Sequence, residues 1–171
     1  MKYLWLLTLL CTRTALAADG EFRLGLGMAL NNNDPQREDV HTECWYKGSL
    51  LDASAVWHNA VGGADAKLSW TYMSCSDFGT EQFVTLSFLG KRGGWRFGGG
   101  LIINYTQGYE NWQREYIPPD PIGPRECAFC GVAIEIDYCH GRWCAEAQYL
   151  RTDFNMYPGH NGSSVKITCG L

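Results

Sequence analysis

The sequence predicts an all-β fold: an eight-stranded antiparallel up-and-down transmembrane β-barrel, with short turns at one end and long loops at the other. Three observations carry that expectation. Period-two alternation recurs eight times after residue 20. The connections between those runs alternate in length. No later apolar run approaches the roughly 18 residues a spanning helix needs, so a membrane crossing would fall to strands closed into a barrel.

Alternation sets one apolar face against one polar or small face. The first run has Phe22, Leu24, Leu26, Met28 and Leu30 against Arg23, Gly25, Gly27 and Ala29. Leu51, Ala53, Ala55 and Trp57 follow against Asp52 and Ser54, then Ala66, Leu68, Trp70 and Tyr72 against Lys67, Ser69 and Thr71. The fourth run sets Val84, Leu86 and Phe88 against Thr85 and Ser87. The fifth sets Trp95, Phe97, Gly99, Leu101, Ile103 and Tyr105 against Arg96, Gly98, Gly100 and Asn104. Val132, Ile134, Ile136 and Tyr138 face away from Glu135 and Asp137 in the sixth. Trp143, Ala145, Ala147 and Tyr149 face away from Cys144, Glu146 and Gln148 in the seventh. The last sets Val165, Ile167, Cys169 and Leu171 against Lys166, Thr168 and Gly170.

A soluble β-sandwich alternates too. Here the second face is rich in Gly, Ala and charge, which suits the cramped interior of an eight-stranded barrel. Segments 31–42, 74–81, 107–127 and 154–163 are long and polar, whereas 58–63, 90–93 and 139–142 are short. Short periplasmic turns and long external loops are the outer-membrane rule. Trp57, Trp95, Tyr138 and Trp143 fall toward the short turns, and Tyr72, Tyr105 and Tyr149 toward the loops, as two interfacial girdles would. A weak internal likeness, FRLGLGMALN (22–31) with WRFGGGLIIN (95–104), fits two four-strand halves.

The N-terminus sets the compartment. Lys2, the apolar run Tyr3 to Cys11 and the small-x-small Ala15-Leu16-Ala17 read as a cleaved signal peptide over 1–17, leaving a barrel domain over 18–171. The 154 residues after the signal hold 12 basic and 18 acidic side chains, a formal charge of −6. That balance offers no basic footprint for nucleic acid.

Export favours disulfides over free thiols. Cys44 with Cys75 would join neighbouring strands at the loop end. Cys139 with Cys144 would stand opposite across a Gly141-Arg142 turn. Cys127 with Cys130 would pair locally, leaving Cys169 on the lipid face. A zinc site from Cys127-x2-Cys130 and Cys139-x4-Cys144 fails on reach: a strand over 131–138 holds the pairs roughly 30 Å apart. No metal or other cofactor is expected.

The inward charges Arg23, Lys67, Arg96 and Lys166 share their face with Asp52, Glu135, Asp137 and Glu146, and in such a place they must pair. A structural plug of salt bridges is the simple reading; an ion path or paired acid–base carboxylates is the sharper one. His41, His58, His140 and His160 fall in loops or turns without a partner at ligand spacing. GxSxG, HExxH and P-loop motifs do not occur. Asn104 and Asn161 open glycosylation sequons, relevant only in a eukaryotic source.

The segment AQYLRTDFNMYPGHNGSSVKITCGL, together with size and strand plan, resembles small outer-membrane barrels of the lipid A deacylase group and its non-catalytic, partly phage-encoded relatives. The resemblance covers most of residues 20–171 as architecture and is specific only in the penultimate strand and last loop. It implies a lipid A acyl hydrolase only if the His-x-Ser pair of that strand is present. Tyr149 and Arg151 stand in its place, and Ser74 in the first half has no accompanying histidine. A serine nucleophile needs a base, so no catalytic residue carries over.

The leading expectation is therefore a non-enzymatic, monomeric outer-membrane barrel among outer-membrane lipid and lipopolysaccharide. Its long loop, with Tyr109, Trp112 and Tyr116, would hold an extracellular ligand. The alternatives are a lipid A acyl hydrolase with a displaced site, using Ser74 and Glu135 or Glu146, and a secreted, disulfide-stapled β-sandwich, periplasmic or extracellular, that binds a carbohydrate or protein.

Overall fold

The computed structural model describes residues 19–31, 49–75, 79–108, 125–151 and 161–171. These form eight strands: β1 (Gly20–Asn31), β2 (Ser49–Val61), β3 (Ala64–Cys75), β4 (Gly79–Arg92), β5 (Trp95–Gly108), β6 (Arg125–His140), β7 (Trp143–Arg151) and β8 (Asn161–Gly170). Each pairs antiparallel with the next, and β8 pairs with β1, so the sheet is a closed barrel without a free edge. The signal-peptide reading, Cys44, His41, His160 and the loop residues Tyr109, Trp112 and Tyr116 lie outside the described residues. So do the side chains of Cys75, Cys127 and Cys130.

Three tight turns join strands at one end, at Gly62-Gly63, Gly93-Gly94 and Gly141-Arg142. Gly62 and Gly63 both have left-handed φ, 58° and 85°. One kind of two-residue turn that matches the strand twist needs φ > 0 at both central positions, and the other needs it only at the first, as at Gly93 (62°) and Gly141 (60°). Of the expected long loops, 74–81 is much shorter: β3 runs to Cys75 and β4 starts at Gly79. The ladder continues through Ser74↔Thr80 and Cys75↔Gly79, because backbone pairing holds polar residues in a strand as well as apolar ones.

Alternation follows the expected phase through most of the barrel. In β7 the residues alternate strictly between exposed and buried, with Cys144, Glu146, Gln148 and Leu150 inside. Among the described residues, the break that re-phases the interior lies in β5. Thr85 pairs with Ile102 but Val84 with Asn104, so Ile103 is an extra residue. β6 answers with its own extra residue between Ala128 and Gly131, where Phe129 takes a left-handed φ of 54°. A bulge shifts the side-chain phase by one. Ile102 keeps the inward phase of Gly98 and Gly100, and beyond the bulge Tyr105 turns inward and is buried while Asn104 is exposed. This corrects the uninterrupted alternation expected for the fifth run, and it removes Tyr105 from the outer girdle.

The bulge adds Tyr105 to the apolar part of the interior. Tyr105 packs on Phe83, ring centroids 5.0 Å apart. With Ala29, Met73, Ile102, Ala133 and Leu150 they form the hydrophobic cluster of the barrel, toward its loop end. Below it the small interior residues have a steric cause. A Cβ on Gly98 or Gly100 would come within 1.9 Å of the carbonyl oxygen of Phe88 or Leu86, so β5 lies against β4 only because these positions carry no side chain.

Candidate functional site

The middle of the lumen is a cross-braced set of charges. Lys67 on β3 is fully buried; its Nζ is paired with Glu135, lies 2.6 Å from Glu146 Oε2 and 3.6 Å from Asp137 Oδ2. Lys166 on β8 lies 2.6 Å from Asp52 Oδ2 and 3.3 Å from Glu146 Oε2. Two hydroxyls also donate into the set: Thr71 to Asp52 at 2.8 Å and Thr168 to Glu146 at 2.5 Å. Strict alternation puts all of these on one face, and closure of the sheet brings strands distant in sequence together.

A second layer lies toward the tight turns. Arg23 is paired with Glu21, and its Nη1 is 3.7 Å from Glu146. Asp65, fully buried, receives Lys91 at 2.9 Å, Arg96 Nε at 3.2 Å and His58 Nδ1 at 3.1 Å, while the Asn59 amide donates to it at 3.0 Å. Arg96 also lies 3.5 Å from Glu21. The Cys139–Cys144 disulfide stands at the same end, across the directly opposed pair of the last hairpin.

All eight interior charges singled out from the sequence, Arg23, Lys67, Arg96, Asp52, Glu135, Asp137, Glu146 and Lys166, point into the barrel, and ion pairs link each of them to this network. Sequence reasoning missed Glu21, His58, Asp65 and Lys91. His58, read as an unpartnered turn residue, has two carboxylate neighbours, because β2 continues past Trp57 with an irregular register up to Val61. The missing signal was phase: Glu21 is two residues from Arg23, and Asp65 two from Lys67. Glu81, inside the expected 74–81 loop, is buried in β4.

The carboxylate oxygens of Glu135, Asp137 and Glu146 lie within 4.8 Å of one another, close enough for a metal ion. The Lys67 ammonium already stands among them and supplies the cation. Burying such charges is costly unless each is paired and hydrogen-bonded. Ion pairs with Lys67 and Lys166 offset part of that cost, and the packed side chains fill and brace the lumen.

The outside is the opposite. Leu26 is 67 % exposed and Ile167 60 %, and Leu24, Met28, Leu51, Phe97, Leu101, Ile134 and Ile136 lie on the same outer surface. Trp95 and Tyr138 pair across β5 and β6 at 4.9 Å, with Trp143 exposed nearby on β7, near the tight turns. Ser74 is exposed on this outer phase, whereas Glu135 and Glu146 are inside, so the barrel wall separates the parts of the displaced hydrolase site. Tyr149 and Arg151 are likewise on the outer phase.

No protein-family model matches the chain, and no curated protein matches it. Among solved structures it is similar to the N-terminal β-barrel domain of Pseudomonas aeruginosa OprF, with a TM-score of 0.55 and 11 % identity. The match covers 90 % of this chain and 98 % of that one. At such identity the likeness is one of fold: a closed eight-stranded antiparallel barrel.

Proposed function

We propose that the protein is a non-enzymatic outer-membrane barrel. It is exported by the 1–17 signal and held as a monomer among outer-membrane lipid and lipopolysaccharide. Its long connections would face outward, and Tyr109, Trp112 and Tyr116 would meet an extracellular ligand.

One observation carries this reading: the barrel is apolar outside and charged inside. In water, contiguous apolar surface beyond a few hundred Å² is unfavourable and rare on a monomer. In a bilayer the same belt is solvated by acyl chains, and the girdle of Trp95, Tyr138 and Trp143 sits at the boundary. A soluble sandwich would bury its apolar phase instead. The test is fractionation of cells expressing the full chain, with boiled and unheated samples compared on a gel. The expected result is an outer-membrane band whose mobility changes on heating. A soluble product without that change would sink the proposal.

A further inference from the structure

Two guanidinium groups converge on one sulfur. Arg23 Nη1 and Arg96 Nη1 each donate to Cys139 Sγ at 3.6 Å. Arg23 is buried and Arg96 is 13 % exposed, so neither donor is simply dissolved in water. We propose that Cys139–Cys144 is an exchangeable disulfide, opened and closed by a dithiol, and that Arg23 and Arg96 hold the Cys139 thiolate of the reduced form.

A disulfide sulfur is a poor acceptor. A thiolate accepts strongly and is favoured by neighbouring cations. Donors aimed at Cys139 therefore stabilise the reduced state more than the oxidised one. Arg23 Nε has no acceptor among the described residues, so a further donor is at hand. The bond is not what sets the hairpin. Its two residues are five apart, in a hairpin already set by the Gly141 turn and by barrel closure. Cross-linking so short a loop removes less chain entropy than a long-range bond would.

Access differs between the two sulfurs. Cys139 is half-buried, two residues from the turn and level with the Trp95–Tyr138 girdle; Cys144 is buried. A thiolate of the dithiol attacks Cys139 Sγ, the Cys139–Cys144 bond breaks, and Cys144 leaves and takes up a proton. The second thiolate of the dithiol then attacks its own sulfur in the mixed disulfide. Cys139 leaves as the thiolate that the guanidiniums hold, and the dithiol is oxidised by the two electrons the protein gains.

The charges facing this sulfur make the exchange felt further in. Glu21 lies 3.5 Å from Arg96 Nη1, and Glu146 lies 3.7 Å from Arg23 Nη1, so both compete with a thiolate for the same N–H groups. Asp65 keeps Arg96 Nε, with Lys91 beside it. Reduction thus loosens the hold of Arg23 and Arg96 on Glu146 and Glu21.

The test uses the purified full-length protein, folded in detergent and equilibrated against graded ratios of reduced to oxidised dithiothreitol, then alkylated and digested with trypsin. Cleavage after Arg142 and Arg151 isolates residues 143–151, which hold Cys144 as their single cysteine. The expected result is reversible opening of the bond in the folded barrel. Arg96→Gln should make it about tenfold harder to reduce, about 30 mV, and Arg96→Lys less so. An unchanged midpoint in folded Arg96→Gln, or a bond that opens only on unfolding, overturns the proposal. Should Arg96→Gln not fold, the reduced wild type decides. Alkylation of its Cys139 should be nearly flat between pH 6 and 8; a rise of about tenfold per pH unit, as for an ordinary thiol, overturns the proposal equally.

Discussion

Lys67 on β3 and Glu146 on β7 meet at 2.6 Å across the lumen, from strands four places apart in a closed ring of eight. The contact ties opposite walls of the barrel together. Lys166 extends it, joining Glu146 to Asp52 on β2. Each strand of this brace gains its partner only when the last strand closes on the first.

Removing Lys67 should be severe. Lys67→Met leaves Glu135, Asp137 and Glu146 buried without their shared ammonium, and breaking a buried pair in this way costs about 3–5 kcal/mol. In a Glu135→Gln background the same substitution should cost less, since one carboxylate is already neutral. Urea unfolding of the protein in lipid vesicles, followed by tryptophan fluorescence, measures both. Additive losses would mean that the two residues act independently.

The outer phase makes an opposite demand. Leu26 lies within β1, beside Leu51 of β2 and Ile167 of β8. In a bilayer, Leu26→Arg should cost about 2–4 kcal/mol if it sits near the midplane. On a water-exposed surface the same change would stay within about 0.5 kcal/mol. The folded fraction in vesicles, read from the heat-dependent gel shift, separates the two.

The lumen should not conduct. The salt-bridged middle and the Phe83–Tyr105 cluster above it occupy the interior, and an eight-stranded barrel is only wide enough for its own side chains. Purified protein in planar bilayers is expected to give no steady single-channel current. A reproducible conductance would mean that the brace opens.

Much of this barrel is written in the chain as a pattern of period two. Leu24, Leu26 and Leu51 against Arg23 and Asp52 set which face is which, because successive side chains on a strand must point to opposite sides. Cys139 and Cys144 on either side of a Gly141-Arg142 turn set their own pairing for the same local reason. Eight of the in-phase charges could be named from sequence, but not Glu21, Asp65 or Glu81, nor the partners of any.

What only the tertiary structure decided was non-local. The extra residue at Ile103 is invisible in a run that alternates well on both sides of it, and it appears only when Thr85 and Val84 choose their partners across the ladder. That choice put Tyr105 inside on Phe83. The contacts of Lys67 with Glu146, of His58 with Asp65, and of Arg23 and Arg96 with Cys139 join residues from different strands. Their distances depend on register and closure, which a single strand cannot encode, since backbone hydrogen bonds between strands fix them all together.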